Sequence, residues 1–300
     1  MISKLSVISD HATIGKNVIV HPYVIINDGV CLQDGVEVFS GAVLGKDTGG
    51  SAEKKVMIGA NSKIGSHTTI YYGVDIGPDT TMDGYCEIGY PTELAENPSL
   101  IIGSGSLIRS HSIFYAGSNF GAGLVTGHRV TVRENTSAGE NFQIGTLCDI
   151  QGDCTIGDYV RCHSNVHIGK KSRIGSFVWL FPYVVLTNDP TPPSDTLIGP
   201  VIEDYAIVAT MSTILPGVVV GSHSLVGAHA LVTRNVPEGM IVGGVPARIF
   251  GPASDMKLKD GTGQPAYPWT GHFHRGYPDE ITRQWAQNDQ QGSTDNSRGG

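Results

Sequence analysis

Residues 144–173 read IGTLCD, IQGDCT, IGDYVR, CHSNVH and IGKKSR, a six-residue repeat that decides the fold. The second residue of a hexad is often glycine, and the fifth is small or branched. A helix needs a period near 3.6 and a flat strand a period of 2, so a period of six indicates a repeat architecture. The repeat is unbroken over residues 102–187, where most hexads open on a large apolar residue: Ile102, Ile108, Phe114, Phe120, Thr126, Val132, Ala138, Ile144, Ile150, Ile156, Cys162, Ile168, Ile174, Leu180 and Leu186.

Six residues accommodate one short strand and one sharp turn, so three hexads complete one coil of a triangular prism. The first and fifth residues of each hexad point inward and stack on their counterparts in the next coil. The same frame occupies residues 14–44, 58–88 and 202–232, which brings the total to 33 hexads, or eleven coils. At about 4.8 Å per coil, the predicted all-β prism is roughly 50 Å long.

Three excursions interrupt this frame, at residues 46–57, 91–101 and 188–201. Loops placed by a rigid scaffold tend to carry function, although each excursion could equally be a tolerated surface insertion. We expect a β-helix domain over residues 1–250 and an irregular tail over residues 251–300. The tail is a natural cover for one end of the prism, its aromatic residues within 266–278 could anchor it, and its final part is expected to be disordered.

The composition excludes several classes of protein. A formal net charge of −8 over 300 residues argues against an extended nucleic-acid surface. There is no apolar run of about 18 residues, so no membrane span is expected, and the first ten residues lack signal-peptide features. Cys86, Cys148, Cys154 and Cys162 occupy inward positions, which favours reduced core thiols over disulfides or zinc ligands. Together these features favour a cytoplasmic protein.

The outer faces are more apolar than free surface should be. A closed homo-oligomer would cover such faces, and a threefold prism packs most simply as a homotrimer. The apolar side chains in question are Val125, Phe177, Trp179, Phe181 and Val185.

The end of the repeat carries a recognisable signature. Residues 214–221 (ILPGVVVG), 226–237 (VGAHALVTRNVP) and 243–248 (GGVPAR) resemble the closing signature of the hexapeptide-repeat acyltransferases. The resemblance implies a left-handed parallel β-helix, whereas general handedness rules would favour the right-handed alternative. Residues 158–168 (DYVRCHSNVHI) and 184–189 (VVLTND) resemble, more narrowly, the subgroup that N-acylates amino groups of nucleotide-linked sugars.

The frame brings all four histidines of the long stretch to one edge of the prism. His111 and His128 lie at corners of this edge, His163 lies just before a corner, and His167 lies just after one. Asp149 precedes His167 by one coil at the same hexad position, so their backbones are about 4.8 Å apart. That spacing permits an Asp–His hydrogen bond, which would fix the imidazole tautomer.

His128 and His163 are the leading candidates for a general base, and His167 is the runner-up. Outward histidines are also common on polar turns, so a structural role for the cluster stays open. The other histidines of the helix are interpreted as structural: His11, His21, His67, His223 and His229.

The resemblance implies further roles along this edge and beside it. Asn165 matches the family's asparagine near the sugar amine, so we expect it to orient that amine. Asn188 and Asp189 match the family's Asn-Asp pair and are assigned to the sugar or nucleotide pocket. His111 and Arg129 are assigned to substrate binding on the same edge.

The closing signature implies an acyl-CoA donor, either acetyl-CoA or a longer acyl-CoA. Its pantetheine arm could lie in the groove between two prisms, where small residues allow close approach, and arginines could meet the nucleotide phosphates. The expected cofactor-binding residues are Ala209, Ala228, Gly243, Gly244, Arg234 and Arg248.

Four functions are considered. The leading one is acyl-CoA-dependent N-acylation of a nucleotide-linked amino sugar, and an O-acyltransferase of the same fold is close behind. A γ-carbonic-anhydrase-like metalloenzyme is a third. His163 and His167 are separated by about 13 Å of extended chain, and His128 lies two coils, about 10 Å, from His163, so no three of these histidines can share a zinc ion within one chain. We therefore expect no metal, although a zinc site across a trimer interface stays open. A non-catalytic solenoid that only binds or assembles is the fourth.

Overall fold

The computed structural model describes residues 1–49 and 53–286, and in it the hexads form three parallel sheets. Successive strands join successive sheets, so the chain winds around the three faces of a prism. The predicted all-β parallel β-helix is confirmed. The 33 predicted hexads correspond to strands β2 to β34, with one further strand before them and two after them.

Sheet one contains β1 (Val7–Ile8), β4 (Ile25–Ile26), β7 (Val43–Lys46), β10 (Thr69–Tyr71), β13 (Glu87–Tyr90), β16 (Ile113–Tyr115), β19 (Thr131–Val132), β22 (Asp149–Ile150), β25 (His167–Ile168), β28 (Val185–Leu186), β31 (Thr213–Ile214) and β34 (Leu231–Val232). Sheet two contains β2 (Thr13–Ile14), β5 (Val30–Leu32), β8 (Val56–Ile58), β11 (Val74–Ile76), β14 (Leu100–Ile102), β17 (Asn119–Phe120), β20 (Ser137–Ala138), β23 (Thr155–Ile156), β26 (Arg173–Ile174), β29 (Val201–Ile202) and β32 (Val219–Val220). Sheet three contains β3 (Ile19–Val20), β6 (Glu37–Val38), β9 (Lys63–Ile64), β12 (Thr81–Met82), β15 (Leu107–Ile108), β18 (Val125–Thr126), β21 (Gln143–Ile144), β24 (Arg161–Cys162), β27 (Trp179–Leu180), β30 (Ile207–Val208), β33 (Leu225–Val226), β35 (Met240–Gly243) and β36 (Arg248–Pro252).

The inward residues form one continuous apolar core along the prism axis. Phe114, Phe120 and Phe142 are its largest members, and the rings of Phe114 and Phe120 meet edge to face at 5.2 Å. Cys86, Cys148, Cys154 and Cys162 are buried free thiols. Because burial removes solvent from the thiolate, the pKa of Cys148 rises to about 11.

The repeated glycines are required by the close stacking of coils. A Cβ atom on Gly103 would lie 2.4 Å from the backbone of Gly121, and one on Gly121 would lie 2.7 Å from the backbone of Gly139. Neither glycine has a positive φ. The left-handed conformation falls instead on corner residues such as His111 and Asn165, both with φ of 61°.

The three corners of the prism differ in character. The corner between sheets three and one carries most of the helix histidines and is called the histidine edge. The corner between sheets one and two is called the loop edge, because all three excursions leave and rejoin the prism there. The corner between sheets two and three carries four stacked rings, which belong to Tyr159, Phe177, Tyr205 and His223.

The C-terminal tail does two things. Strands β35 and β36 form an antiparallel pair that extends sheet three past β33. The chain then passes through 3-10 helices Ala253–Asp255 and Trp269–Gly271, and residues 279–286 are helical. The aromatic residues of this part pack on the outer face of sheet three, so over residues 253–286 the expectation that the tail caps one end is wrong. The expected disorder of the final residues concerns 287–300, which lie outside the described residues.

The tail changes the argument for a trimer. Phe177, Trp179 and Phe181, which had suggested a covered interface, pack against the chain's own tail. The homotrimer stays a prediction. Within residues 1–49 and 53–286, no helix is long and apolar enough to cross a membrane.

Candidate functional site

The histidine edge is built by the turns that connect sheet three to sheet one. His111 follows β15, His128 follows β18, and His163 follows β24, while His167 opens β25. The side chains therefore form a row along one corner of the prism, with one coil between His111 and His128 and two coils between His128 and His163. Because each position is held by two parallel neighbours, the row sits on a rigid support.

Asp149 and His167 form a carboxylate–imidazole pair. They are direct partners across β22 and β25, and His167 Nδ1 lies 3.1 Å from a carboxylate oxygen of Asp149. Gln151 Nε2 donates to the same oxygen at 2.6 Å. These two hydrogen bonds, of which that to His167 has the larger effect, lower the pKa of Asp149. The carboxylate stays ionised at neutral pH and favours the Nδ1–H tautomer of His167, which leaves Nε2 as an acceptor.

His163 is half-buried beside aromatic side chains. Its ring stacks on Phe181 with 4.8 Å between centroids and lies 5.9 Å from the ring of Trp179. Burial, and secondarily the positive charge of Arg161, lower the pKa of His163. The imidazole is therefore neutral at pH 7 and can accept a proton or a hydrogen bond.

His128 is exposed at its corner. Its Nδ1 lies 2.9 Å from Ser110 Oγ, which belongs to the preceding coil. Its backbone N–H donates to Thr146 Oγ1 in the following coil at 3.2 Å. The side chain is thus aligned along the edge by its neighbours, with one ring nitrogen engaged.

Asn165, Arg129 and His111 occupy the left-handed corner position, with φ of 61°, 57° and 61°. Non-glycine residues enter this region with a few-fold preference for Asn, Asp and His. The backbone N–H of Asn165 donates to the carbonyl of Thr146 at 3.0 Å, which fixes the corner. The ring of His111 stacks on Tyr85 at 5.2 Å.

Asn188 and Asp189 lie on the loop edge, because the chain crosses sheet one through β28 before it reaches them. The width of that sheet, about 16 Å for five extended residues, separates them from the histidine edge of the same chain. Asp189 accepts hydrogen bonds from the backbone and hydroxyl of Ser194, at 2.9 and 2.7 Å. Its carboxylate therefore folds the start of the third excursion, and the structure does not bring this pair to the histidines within one chain.

The expected cofactor residues divide into two groups. Ala209 and Ala228 lie on the histidine edge, beyond His163 toward the C-terminal end. Gly243 packs under the Phe250 ring, where a Cβ atom would approach within 2.7 Å, and Gly244 has φ of 93°.

Arg234 and Arg248 form the second group. Both line a cavity of about 290 Å³ at the C-terminal end of the prism, although they are far apart in sequence. Two guanidinium groups at one cavity form a suitable environment for phosphate oxygens.

Three residues of the histidine edge were not recognised from the sequence. His21, His67 and His229 had been interpreted as structural without being placed on an edge, yet each follows a strand of sheet three. His67, Tyr85 and His111 form a stacked column with centroids 5.1 and 5.2 Å apart. Counting strands across the second excursion would have placed His67 on this edge.

A metal centre is not formed within the part of the chain that the structure describes. There, no group of three or more His, Cys, Asp or Glu side chains is placed to hold one ion. A zinc site of the carbonic anhydrase kind would need residues from a second chain.

Known proteins that are similar to this chain include enzymes with two different activities. The chain is 31% identical over 127 residues to γ carbonic anhydrase 1 of Arabidopsis thaliana, covering 40% of the chain and 45% of that protein. It is 34% identical over 128 residues to an acyl-[acyl-carrier-protein]–UDP-N-acetylglucosamine O-acyltransferase of Burkholderia thailandensis, covering 43% of each. These matches span less than half of the relatives' lengths.

A solved UDP-N-acetylglucosamine O-acyltransferase of Moraxella catarrhalis superposes with a TM-score of 0.49 at 17% identity, covering 78% of the chain and 74% of that structure. No family model matches the chain. Relatives of this kind include acyltransferases, in agreement with the resemblance that the closing signature indicates.

Proposed function

We propose that this chain, which is built from hexapeptide repeats, transfers an acyl group from a thioester donor to a nucleotide-linked sugar. In the form we favour, the donor is acyl-CoA and the acceptor is a sugar amine. The observation that carries the proposal is the Asp149–His167 pair, 3.1 Å apart, in a row with three further histidines on a rigid edge: His111, His128 and His163. A carboxylate-oriented imidazole is a common general base for deprotonating an attacking nucleophile.

The reaction requires a neutral amine, a nearby thioester and a base. The amine nitrogen attacks the thioester carbonyl carbon, and a C–N bond forms as the C–S bond breaks. His167 Nε2 receives the proton from nitrogen in this proposal, because its Nδ1 is bonded to Asp149. Asn165, at the neighbouring corner, orients the amine, and the departing thiolate takes up a proton from the imidazolium or from water.

The donor and acceptor would meet between two chains. Asn188 and Asp189 lie about 16 Å from the histidine edge of their own chain, so they can serve that site only if a partner chain supplies them. A homotrimer would place the loop edge of one prism against the histidine edge of the next. Arg234 and Arg248 would hold the donor's phosphates at the C-terminal end.

O-acylation is the second candidate, since the names of several relatives describe O-acyltransferases that use acyl-carrier-protein donors. The same base would then deprotonate a sugar hydroxyl. The product decides between the two candidates, because an ester is cleaved by hydroxylamine and an amide is not.

Thiol release from acetyl-CoA and octanoyl-CoA, measured with a panel of nucleotide-linked amino and hydroxy sugars, tests the proposal. Acyl-carrier-protein thioesters are assayed in parallel, with product mass as the readout. We expect turnover with at least one amino sugar and a hydroxylamine-resistant product. Failure of every donor with every acceptor would refute the acyltransferase. Stoichiometric zinc in the purified protein, together with catalysis of CO₂ hydration, would support the carbonic anhydrase hypothesis instead.

A further inference from the structure

A cavity lies between sheet three and the C-terminal tail. Its volume is about 430 Å³, within the range of small-molecule sites. Trp179 and Ile207 form its floor on the sheet, and Trp269 and Phe273 form the wall that the tail contributes. We call this space the tail cavity. His163 lines it as well, so the cavity reaches the histidine edge.

The wall of the tail cavity is held in place by specific contacts. The Arg161 guanidinium lies between the rings of Trp179 and Tyr277, at 4.7 and 4.3 Å, and donates to the carbonyl of Gly276 at 2.9 Å. A short hairpin closes the other side, where Leu258 N–H donates to the carbonyl of Gln264 at 2.9 Å. The cavity is therefore preformed by ordered chain.

The walls offer an apolar lining. The indole N–H of Trp179 donates to the Tyr277 hydroxyl at 3.1 Å, and that of Trp269 donates to the carbonyl of Tyr205 at 3.3 Å. With both donors engaged elsewhere, the two indoles present hydrocarbon to the space between them. The tail also contributes His272 and Arg275, which are exposed, and the half-buried Tyr267, whose phenol is the one hydroxyl group among its less exposed lining residues. A nucleobase would need partners for its polar edge, whereas a hydrocarbon chain needs none.

We propose that the tail cavity holds the hydrocarbon chain of the acyl donor, so that acyl groups much longer than acetyl are preferred. This inference rests on the proposed function and specifies its donor. The chain would enter the cavity past His163, and the thioester carbonyl would remain at the histidine edge, where the reaction takes place. The tail is then part of the donor site.

Binding of acyl-CoA to the full-length protein tests the inference without any acceptor. Burial of one methylene strengthens binding about fourfold, so burial of three of the six extra carbons of octanoyl-CoA gives about 60-fold over acetyl-CoA. Titration calorimetry supplies the affinities, and quenching of tryptophan fluorescence reports on the cavity. CoA alone and UDP serve as the ligands without a chain.

Two variants on the hairpin separate filling of the cavity from general damage. Ala266 lines the tail cavity, so Ala266→Phe should reduce the preference for octanoyl-CoA over acetyl-CoA to less than about fivefold. Lys259 is exposed on the same hairpin, so Lys259→Phe should keep the full preference. Circular dichroism and melting temperature confirm that both variants are folded.

The inference is overturned if acetyl-CoA and octanoyl-CoA bind equally, if Ala266→Phe keeps the preference, or if UDP quenches the tryptophans as strongly as octanoyl-CoA. Turnover without any dependence on chain length would reject the inference and leave the proposed function standing. A third outcome is that octanoyl-CoA binds, that Ala266→Phe abolishes this binding, and that no acceptor is turned over. That outcome would support the tail cavity as a site for an apolar chain and reject the proposed function.

Discussion

Replacing Arg161 with methionine should detach the tail from sheet three without unfolding the prism. Methionine keeps an unbranched apolar stem but removes the guanidinium that lies between Trp179 and Tyr277. It also removes the donor to the carbonyl of Gly276. The change therefore isolates one charged contact of a docking surface that is otherwise aromatic.

The magnitude follows from the contacts. Two cation–π contacts at a half-buried site contribute about 1–2 kcal/mol together, and a hydrogen bond from a charged donor about 1.5–3 kcal/mol. Burial lowers the pKa of Arg161, so desolvation of the charge offsets part of this gain, as does about 2 kcal/mol of side-chain entropy. A net loss of about 2 kcal/mol corresponds to about a 30-fold rise in tail opening.

Native-state hydrogen exchange measures that opening residue by residue. The amides of Phe273 and Tyr277 are hydrogen-bonded within the tail, to the carbonyls of Trp269 and His274, so their protection should fall about 30-fold in Arg161→Met. Core amides of the prism should keep their protection. Arg173 occupies the same outward strand position on sheet two, so Arg173→Met is the matched control and should leave the tail unchanged. Unchanged protection of Phe273 and Tyr277 in Arg161→Met, or an equal loss in the core, would refute this account of docking.

Three further predictions concern the apolar core, the Asp149–His167 pair and the half-buried imidazole of His163. Phe142 is fully buried, so Phe142→Ala should lower the free energy of unfolding, measured by urea titration, by about 3–5 kcal/mol. Phe250 is 72% exposed, so Phe250→Ala is the control and should change that free energy by less than about 0.5 kcal/mol. Equal effects of the two substitutions would contradict the assigned core. Asp149→Asn removes the charge that orients the imidazole of His167, so kcat should fall about 10- to 100-fold with an unchanged KM for the donor. Asp75 occupies the same strand position on sheet two, so Asp75→Asn is the control and should match the wild type. A wild-type kcat in Asp149→Asn would show that the pair takes no part in the mechanism. The pKa of His163 is lower in the folded protein than in the unfolded chain, so the free energy of unfolding falls as the pH drops below about 6.5 and levels off below the folded pKa. His163→Phe keeps a stacked ring and should therefore lose less melting temperature between pH 7 and pH 5 than the wild type does. Parallel plots of melting temperature against pH for the two proteins would show that this imidazole does not contribute.

Much of the prism could be read from the hexads because each position has one structural meaning. The residues that open the hexads between Ile102 and Leu186 are inward, and the interval of eighteen residues places Asp149 against His167. Parallel strands in register permit no other partner at that spacing. Within the unbroken stretch, residue numbers alone therefore locate side chains on faces and edges.

The positions of the N-terminal histidines and of the C-terminal tail could not be predicted from the hexads in this way. The first excursion separates Leu44 from Ile58, and the second separates Ile88 from Ile102, by lengths that are not multiples of six. Residue numbers therefore no longer report the edge across these breaks, and His21 and His67 were not connected to the others. The tail has no period at all. Its position depends on which aromatic side chains find complementary surface on sheet three, and that surface is formed by residues from several distant coils.

The way the loops leave and rejoin the prism limits how the length of this chain can change. Each excursion returns the chain to the next sheet in order, so an added loop at a corner leaves every downstream residue on its original face. An added hexad would instead rotate everything after it by one third of a turn and scatter the histidine row over two edges. Only a whole coil of eighteen residues restores the faces, and it would move the downstream groups about 4.8 Å along the axis. Insertions of any length can therefore be accommodated at the corners, whereas the number of strands can change only by whole coils of three.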